Sequence, residues 1–243
     1  MPDLIKEQKA YYQARAAEYD EWWERRGRYD LGPDGNKAWR EEKEAVCRMV
    51  DALPLTGDIL EFAGGTGFWT TYLARRARSV TVLDASAAMM EINRKKIEDA
   101  GLLDRVAYQR VDIFSWTPSK TYDVAFAGFW ISHIPADRLD GFLAVVAAAL
   151  KPGGSFVALE GQPVRSQPQK QFIRLRSEKQ GTVRVDDSVE VRTLNDGSSF
   201  RIVKREIDPD DIVARLGRAG FRARCEMTAR QFQLVIANKA VVE

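Results

Sequence analysis

The chain has 243 residues, 45% hydrophobic and 30% charged, enough apolar material for one large domain with a sizeable core. A net charge of +2 argues against a surface devoted to nucleic acid or anionic membrane. No apolar run approaches the length of a span, and MPDLIKEQKA lacks the core of a secretory signal.

In chain order, residues 1 to about 50 read as a helical, aromatic-rich cap. AYYQARAAEYDEWWERRGRYD (10–30) puts Tyr12, Arg15, Tyr19, Trp22 and Trp23 on one helical face. A core face would prefer Leu, Ile and Val; rings with polar handles suit a partly wet pocket. Tyr12 and Trp22 are therefore candidate substrate contacts, with docking of the rings on the sheet as the alternative. Cys47 and Cys225 lie far apart and the chain has one histidine, so no zinc ligand set exists and no metal is expected. The expected setting is reducing and cytoplasmic.

DILEFA (58–63) predicts a buried strand that turns at EFAGGTGFWT (61–70) into a helix. Such a turn uses glycine for positive φ and close backbone approach, and the helix start adds positive potential. SVTVLD (79–84), YDVAFAGF (122–129) and GSFVALE (154–160) predict further strands. Between the last two, Leu139, Phe142, Leu143, Val146 and Leu150 keep helical spacing up to KPGG. This alternation predicts an open, doubly wound α/β sheet of parallel strands. DPDDIVARLGRAGF (208–221) predicts a helix, and RARCEMTA and QFQLVIANK predict an antiparallel hairpin closing the sheet. Residues 161–207 interrupt the pattern with a second hairpin about NDG.

Three acids, Glu61, Asp84 and Asp112, stand at three successive strand ends, where they converge on the crevice beyond the sheet. FWISHIP (129–135) follows the fourth strand and holds the only histidine, His133.

The ordered set ILEFAGGTG, VTVLDAS, VDIF, YDVAFAGFWISHIP, LKPGG and LGRAGF resembles the motifs of class I S-adenosylmethionine-dependent methyltransferases of the small-molecule type, over about residues 58–160 and 208–239. The resemblance implies a seven-stranded sheet of order 3-2-1-4-5-7-6 with strand seven antiparallel. By position it implies S-adenosylmethionine as cofactor and S-adenosylhomocysteine as product. Gly65 and Gly67 would line the methionine moiety, with Glu61 beneath and Tyr19 reaching the carboxylate. Asp84 followed by Ala85 would hold the ribose; Met89, Asp112 and Ile113 would meet the adenine; Phe129 would close the site. The family's first loop glycine is Ala63 here. A nicotinamide dehydrogenase would want a glycine at Thr70, and its topology fits the antiparallel ending less well.

Methyl transfer is an in-line displacement, and an acceptor OH or protonated amine must lose a proton. His133 is the candidate base or orienting group, with a role in capping the next helix as the alternative; Trp130 is a candidate ring to stack on the acceptor. The expected acceptor is a small, planar or aromatic molecule methylated on O, N or C. Basic residues in the insert (Arg165, Lys170, Arg174, Arg176, Lys179, Arg184) are interleaved with acids and predict a solvated lid. An RNA or protein substrate, or a non-catalytic cofactor binder, is the alternative. The cap closes over its own subunit or over a neighbour's in a homodimer.

Overall fold

The computed structural model describes residues 2–163 and 180–241. Seven strands form one sheet in the order β3-β2-β1-β4-β5-β10-β9: β1 (Asp58–Phe62), β2 (Ser79–Asp84), β3 (Val106–Arg110), β4 (Tyr122–Gly128), β5 (Leu150–Gly161), β9 (Phe221–Met227) and β10 (Phe232–Lys239). The first five run parallel, and β10 lies antiparallel to both β5 and β9. This is the predicted topology, with β10 as the seventh strand of the ladder.

Alternation along each strand divides the core in two. Leu60, Phe62, Ala125 and Phe156 face Leu139, Phe142, Leu143 and Val146 of α6 (Leu139–Ala149) and Ile212 and Leu216 of α7 (Pro209–Arg218). Their neighbours Ile59, Val80, Val124 and Val157 face Val46 and Val50 of α3 (Gly32–Asp51) and Trp69 and Leu73 of α4 (Phe68–Ala74). The helix that crosses over from β2 to β3, α5 (Ala87–Asp99), is capped by the Ser86 hydroxyl, which accepts from Met89 N–H.

The predicted single helical face at residues 10–30 is broken. Helix α1 (Pro2–Arg15) ends in a 3-10 turn at Ala16–Glu18, and α2 (Tyr19–Glu24) starts afresh before Arg25, whose φ of 53° stops it. Trp23 therefore turns into a cluster with Trp39, Phe68, Trp69 and Phe232, while Tyr12, Arg15, Tyr19 and Trp22 surround a cavity. Beyond residue 180 the insert forms a second sheet of β6 (Thr182–Arg184), β7 (Val189–Thr193) and β8 (Ser199–Val203). Tyr11 of α1 packs with Leu194 and Ile202 of this sheet, so α1 lies between the insert and the crevice. Of the insert's basic residues, Arg165, Lys170, Arg174, Arg176 and Lys179 lie outside the described residues; Arg184 pairs with Glu190.

Candidate active site

Three cavities meet above the carboxyl ends of β1, β2 and β4. The first, about 690 Å³, is lined by Ala63, Gly65, Asp84, Ala85, Met89, Asp112, Ile113, Phe129 and Trp130, and roofed by Gln8, Lys9 and Tyr12 of α1. The second, about 460 Å³, holds Glu61 and Gly67 with Trp22 and Trp23. The third, about 720 Å³, is walled by Tyr12, Arg15, Trp22, Tyr29, His133, Glu190, Arg192 and Lys204. Tyr19 and Phe129 line all three.

The glycine loop divides its labour. A Cβ on Gly64 would lie 2.4 Å from Val82, and one on Gly67 2.7 Å from Asn93, so both are needed for helix–strand packing. A Cβ on Gly65 would meet nothing closer than 3.9 Å. The space it leaves belongs to the cavity. Ala63 takes φ 53° and Phe129 φ 56°, left-handed values that cost an L-residue about 1–2 kcal/mol. That explains why a glycine would suit position 63.

Asp84 is held on both oxygens, by Ser86 N–H at 2.8 Å and Gly65 N–H at 2.9 Å, which fixes the carboxylate towards the first cavity. Burial pushes its pKa up against those bonds. A fixed carboxylate at this strand end can accept a pair of ribose hydroxyls. Buried Met89 and Ile113 offer apolar faces to a base. The residues fit S-adenosylmethionine. Glu61 is 2% exposed, accepts a hydrogen bond from the Thr70 hydroxyl alone among the described residues, and burial raises its pKa to about 8. Asp112 is engaged by Lys9 of α1 at 2.5 Å.

His133 sits in the 3-10 turn Ile131–His133 and is fully enclosed. Its Nδ1 lies 2.6 Å from the Val203 carbonyl, which can only accept, so Nδ1 carries the proton. Its Nε2 is then the acceptor facing the Tyr12 hydroxyl at 3.0 Å. Burial first, then the nearby charges of Lys204 and Arg192, hold the imidazole pKa well below its usual value. Trp130 faces the first cavity and packs on Phe114, away from the third.

The third cavity contains what the sequence reading passed over. Lys204 donates to Ser132 Oγ at 2.7 Å. Arg192 bonds Glu190 at 2.9 Å, and Arg15 donates to the Tyr29 hydroxyl at 3.3 Å. On β7, Val189, Val191 and Thr193 alternate with Glu190 and Arg192, and it is the polar set that lines the cavity.

The family pattern described as "Methyltransferase domain" matches residues 59–154. The chain is 31% identical over 176 residues to the ubiquinone/menaquinone biosynthesis C-methyltransferase UbiE of Methylococcus capsulatus, covering 69% of this chain and 68% of that one. It is 29% identical over 144 residues to the demethylmenaquinone methyltransferase of Lactiplantibacillus plantarum, spanning 56% of that relative's length. Among solved structures, the DhpI-SAM-HEP complex is 32% identical with a TM-score of 0.73, over 96% of this chain and 97% of that one. The DhpI-SAH complex matches with 31% identity and a TM-score of 0.71. With the sheet order, the glycine loop and the strand-end acids already in place, the chain belongs to the class I S-adenosylmethionine-dependent methyltransferases.

Proposed function

We propose that the enzyme transfers the methyl group to an oxygen of a small acidic acceptor seated in the third cavity. The observation that carries this reading is Arg15. It is 4% exposed, makes no ion pair among the described residues, and its Nε has no hydrogen-bond partner. Around it lie the rings of Tyr11, Tyr19 and Tyr29. A buried guanidinium without a carboxylate costs several kcal/mol unless something brings the counter-charge. Arg192 and Lys204 line the same chamber, so an anion there would meet three cations.

Bound S-adenosylmethionine supplies the methyl on a sulfonium, and the acceptor oxygen must lie in line with it. Asp84 would hold the ribose, Met89, Ile113 and Asp112 the adenine, and Gly65, Gly67, Glu61 and Tyr19 the methionine end. Tyr19 and Phe129, shared by these three cavities, mark the transfer point. Arg15, Arg192 and Lys204 orient the acceptor and hold its oxygen deprotonated, so no strong base is required. His133 works through Tyr12: Nε2 takes the phenol proton in a hydrogen bond and turns the oxygen's lone pairs to the chamber. This assigns His133 the orienting role, because the cations around it oppose its protonation.

A second reading, methylation of a phenolic or quinol ring, is favoured by the quinone methyltransferases among the relatives and by Tyr12 and Trp22 in the cavity wall. The test is incubation with methyl-labelled cofactor and two panels, short carboxylic and phosphoric acids against phenols and quinols. Labelled acid-soluble esters support the acidic acceptor. Label confined to ring compounds replaces it with the second reading, and label confined to precipitable material overturns both.

A further inference from the structure

Behind the third cavity lies a charged residue that touches none of the three. Glu160 is near the end of β5, 1% exposed, and accepts from the backbone N–H of Ser132 at 3.0 Å through Oε1. Its Oε2 has no hydrogen-bond partner. The Ser132 hydroxyl in turn receives Lys204 Nζ at 2.7 Å. One serine therefore links a buried carboxylate to a cavity-lining ammonium. A carboxyl at this depth needs a cation in reach, and Lys204 is the one that opposes the effect of burial on it.

We propose that Glu160 is a positioning residue for the acceptor, holding Lys204 charged and aimed into the cavity through Ser132. The inference rests on the reading of the third cavity as an anion site. Lys204 is surrounded by groups of both signs: Glu160 from β5, Ser132 and His133 from the turn after β4, Glu190 and Arg192 from β7, Arg184 from β6, and Tyr12 from α1 across the chamber. Burial, Arg192 and Arg184 all favour loss of its proton; Glu160 and Glu190 oppose them. Glu190 already serves Arg192 and Arg184. Glu160 makes no direct ion pair with any cation among the described residues; Lys204, joined to it through Ser132, is the cation whose charge acts on it, which leaves Glu160 as the counter-charge dedicated to Lys204.

The test uses sulfate, whose charge does not change between about pH 6 and pH 10, so any pH dependence of its binding belongs to the protein. Sulfate is titrated by calorimetry into the full-length protein loaded with S-adenosylhomocysteine. Wild type should bind sulfate and lose it on the alkaline side as Lys204 deprotonates. Glu160→Gln should move that alkaline limb down by about one pH unit, as expected for removal of an adjacent opposite charge, with affinity near pH 6 within about twofold. Ser132→Ala should move it the same way, and the double variant no further than either single one. An alkaline limb unmoved in both single variants, or an affinity lowered equally at every pH, would assign Glu160 a merely structural role and overturn the inference. Lys204→Met separates the two levels. Sulfate affinity unchanged in that variant would sink the anion-site reading itself, whereas an affinity lowered about tenfold beside an unmoved Glu160→Gln limb would remove only the role of Glu160.

Discussion

Arg15 and Glu61 are both buried ionisable groups, and their energetics run opposite to their usefulness. Replacing Arg15 with Met removes an unpaired guanidinium from a tyrosine-lined site. Thermal unfolding should show a gain of about 1–2 kcal/mol, while the acceptor KM rises about tenfold or more and cofactor affinity stays within about twofold. A loss of stability, or an unchanged KM, would count against the anion site. For Glu61, the folded pKa of about 8 exceeds the unfolded value near 4.5. Its contribution is full below about pH 4.5 and is lost as pH rises through about 8, at up to about 1.4 kcal/mol per unit in that window. Without cofactor, wild type should lose stability across this range more steeply than Glu61→Gln, and parallel pH–stability curves would refute the assignment. Asp84→Ala removes the fixed carboxylate of the first cavity and should weaken cofactor binding by about tenfold or more, measured by calorimetry.

At the scale of elements, α1 decides the site. Gln8 accepts from Val203 N–H at 2.9 Å and donates to the His133 carbonyl at 3.2 Å; Glu7 accepts from Arg201 N–H at 2.6 Å; Gln13 accepts from the Ser86 hydroxyl at 2.9 Å. One helix is thus pinned to the insert, to the turn that bears the histidine and to the cofactor half. Ile202 of β8, fully buried against Tyr11, is the apolar centre of this junction. Ile202→Ala should cost about 2–4 kcal/mol. Hydrogen exchange should speed up in α1 and β8 while β1 and β4 keep their protection. Uniform loosening of the whole sheet would mean that the junction is not a separate unit. The break between α1 and α2 was not legible, because AYYQARAAEYDEWW carries no Gly or Pro. What ends α1 at Arg15 is tertiary: Arg15 is drawn in among three tyrosines, and Asp20 bonds the Thr66 hydroxyl and Lys96, each at 2.5 Å.

Across the whole molecule, the alternation of strands and helices was legible as a doubly wound sheet closed by an antiparallel hairpin, whereas the strand order came only from the resemblance of the motif set to the methyltransferases. The glycine loop and strand-end acids were legible because each sits where a strand stops. The third cavity was not. Its charged walls come from Arg15, Glu190, Arg192 and Lys204, four residues spread over nearly the full chain and brought together only by packing α1 against the inserted sheet. The rings that the sequence offered are there as well, in Tyr12, Tyr19 and Trp22.

His133 is the only imidazole in 243 residues, and it lines both the first and the third cavity. A sample grown with isotope-labelled histidine would therefore give a single set of ring resonances, already assigned, from the centre of the enzyme. Nδ1–H, locked to the Val203 carbonyl, would appear as a slowly exchanging downfield proton, and Nε2 would report every change in the Tyr12 hydroxyl beside it. Each ligand added to the tube could be followed by one peak.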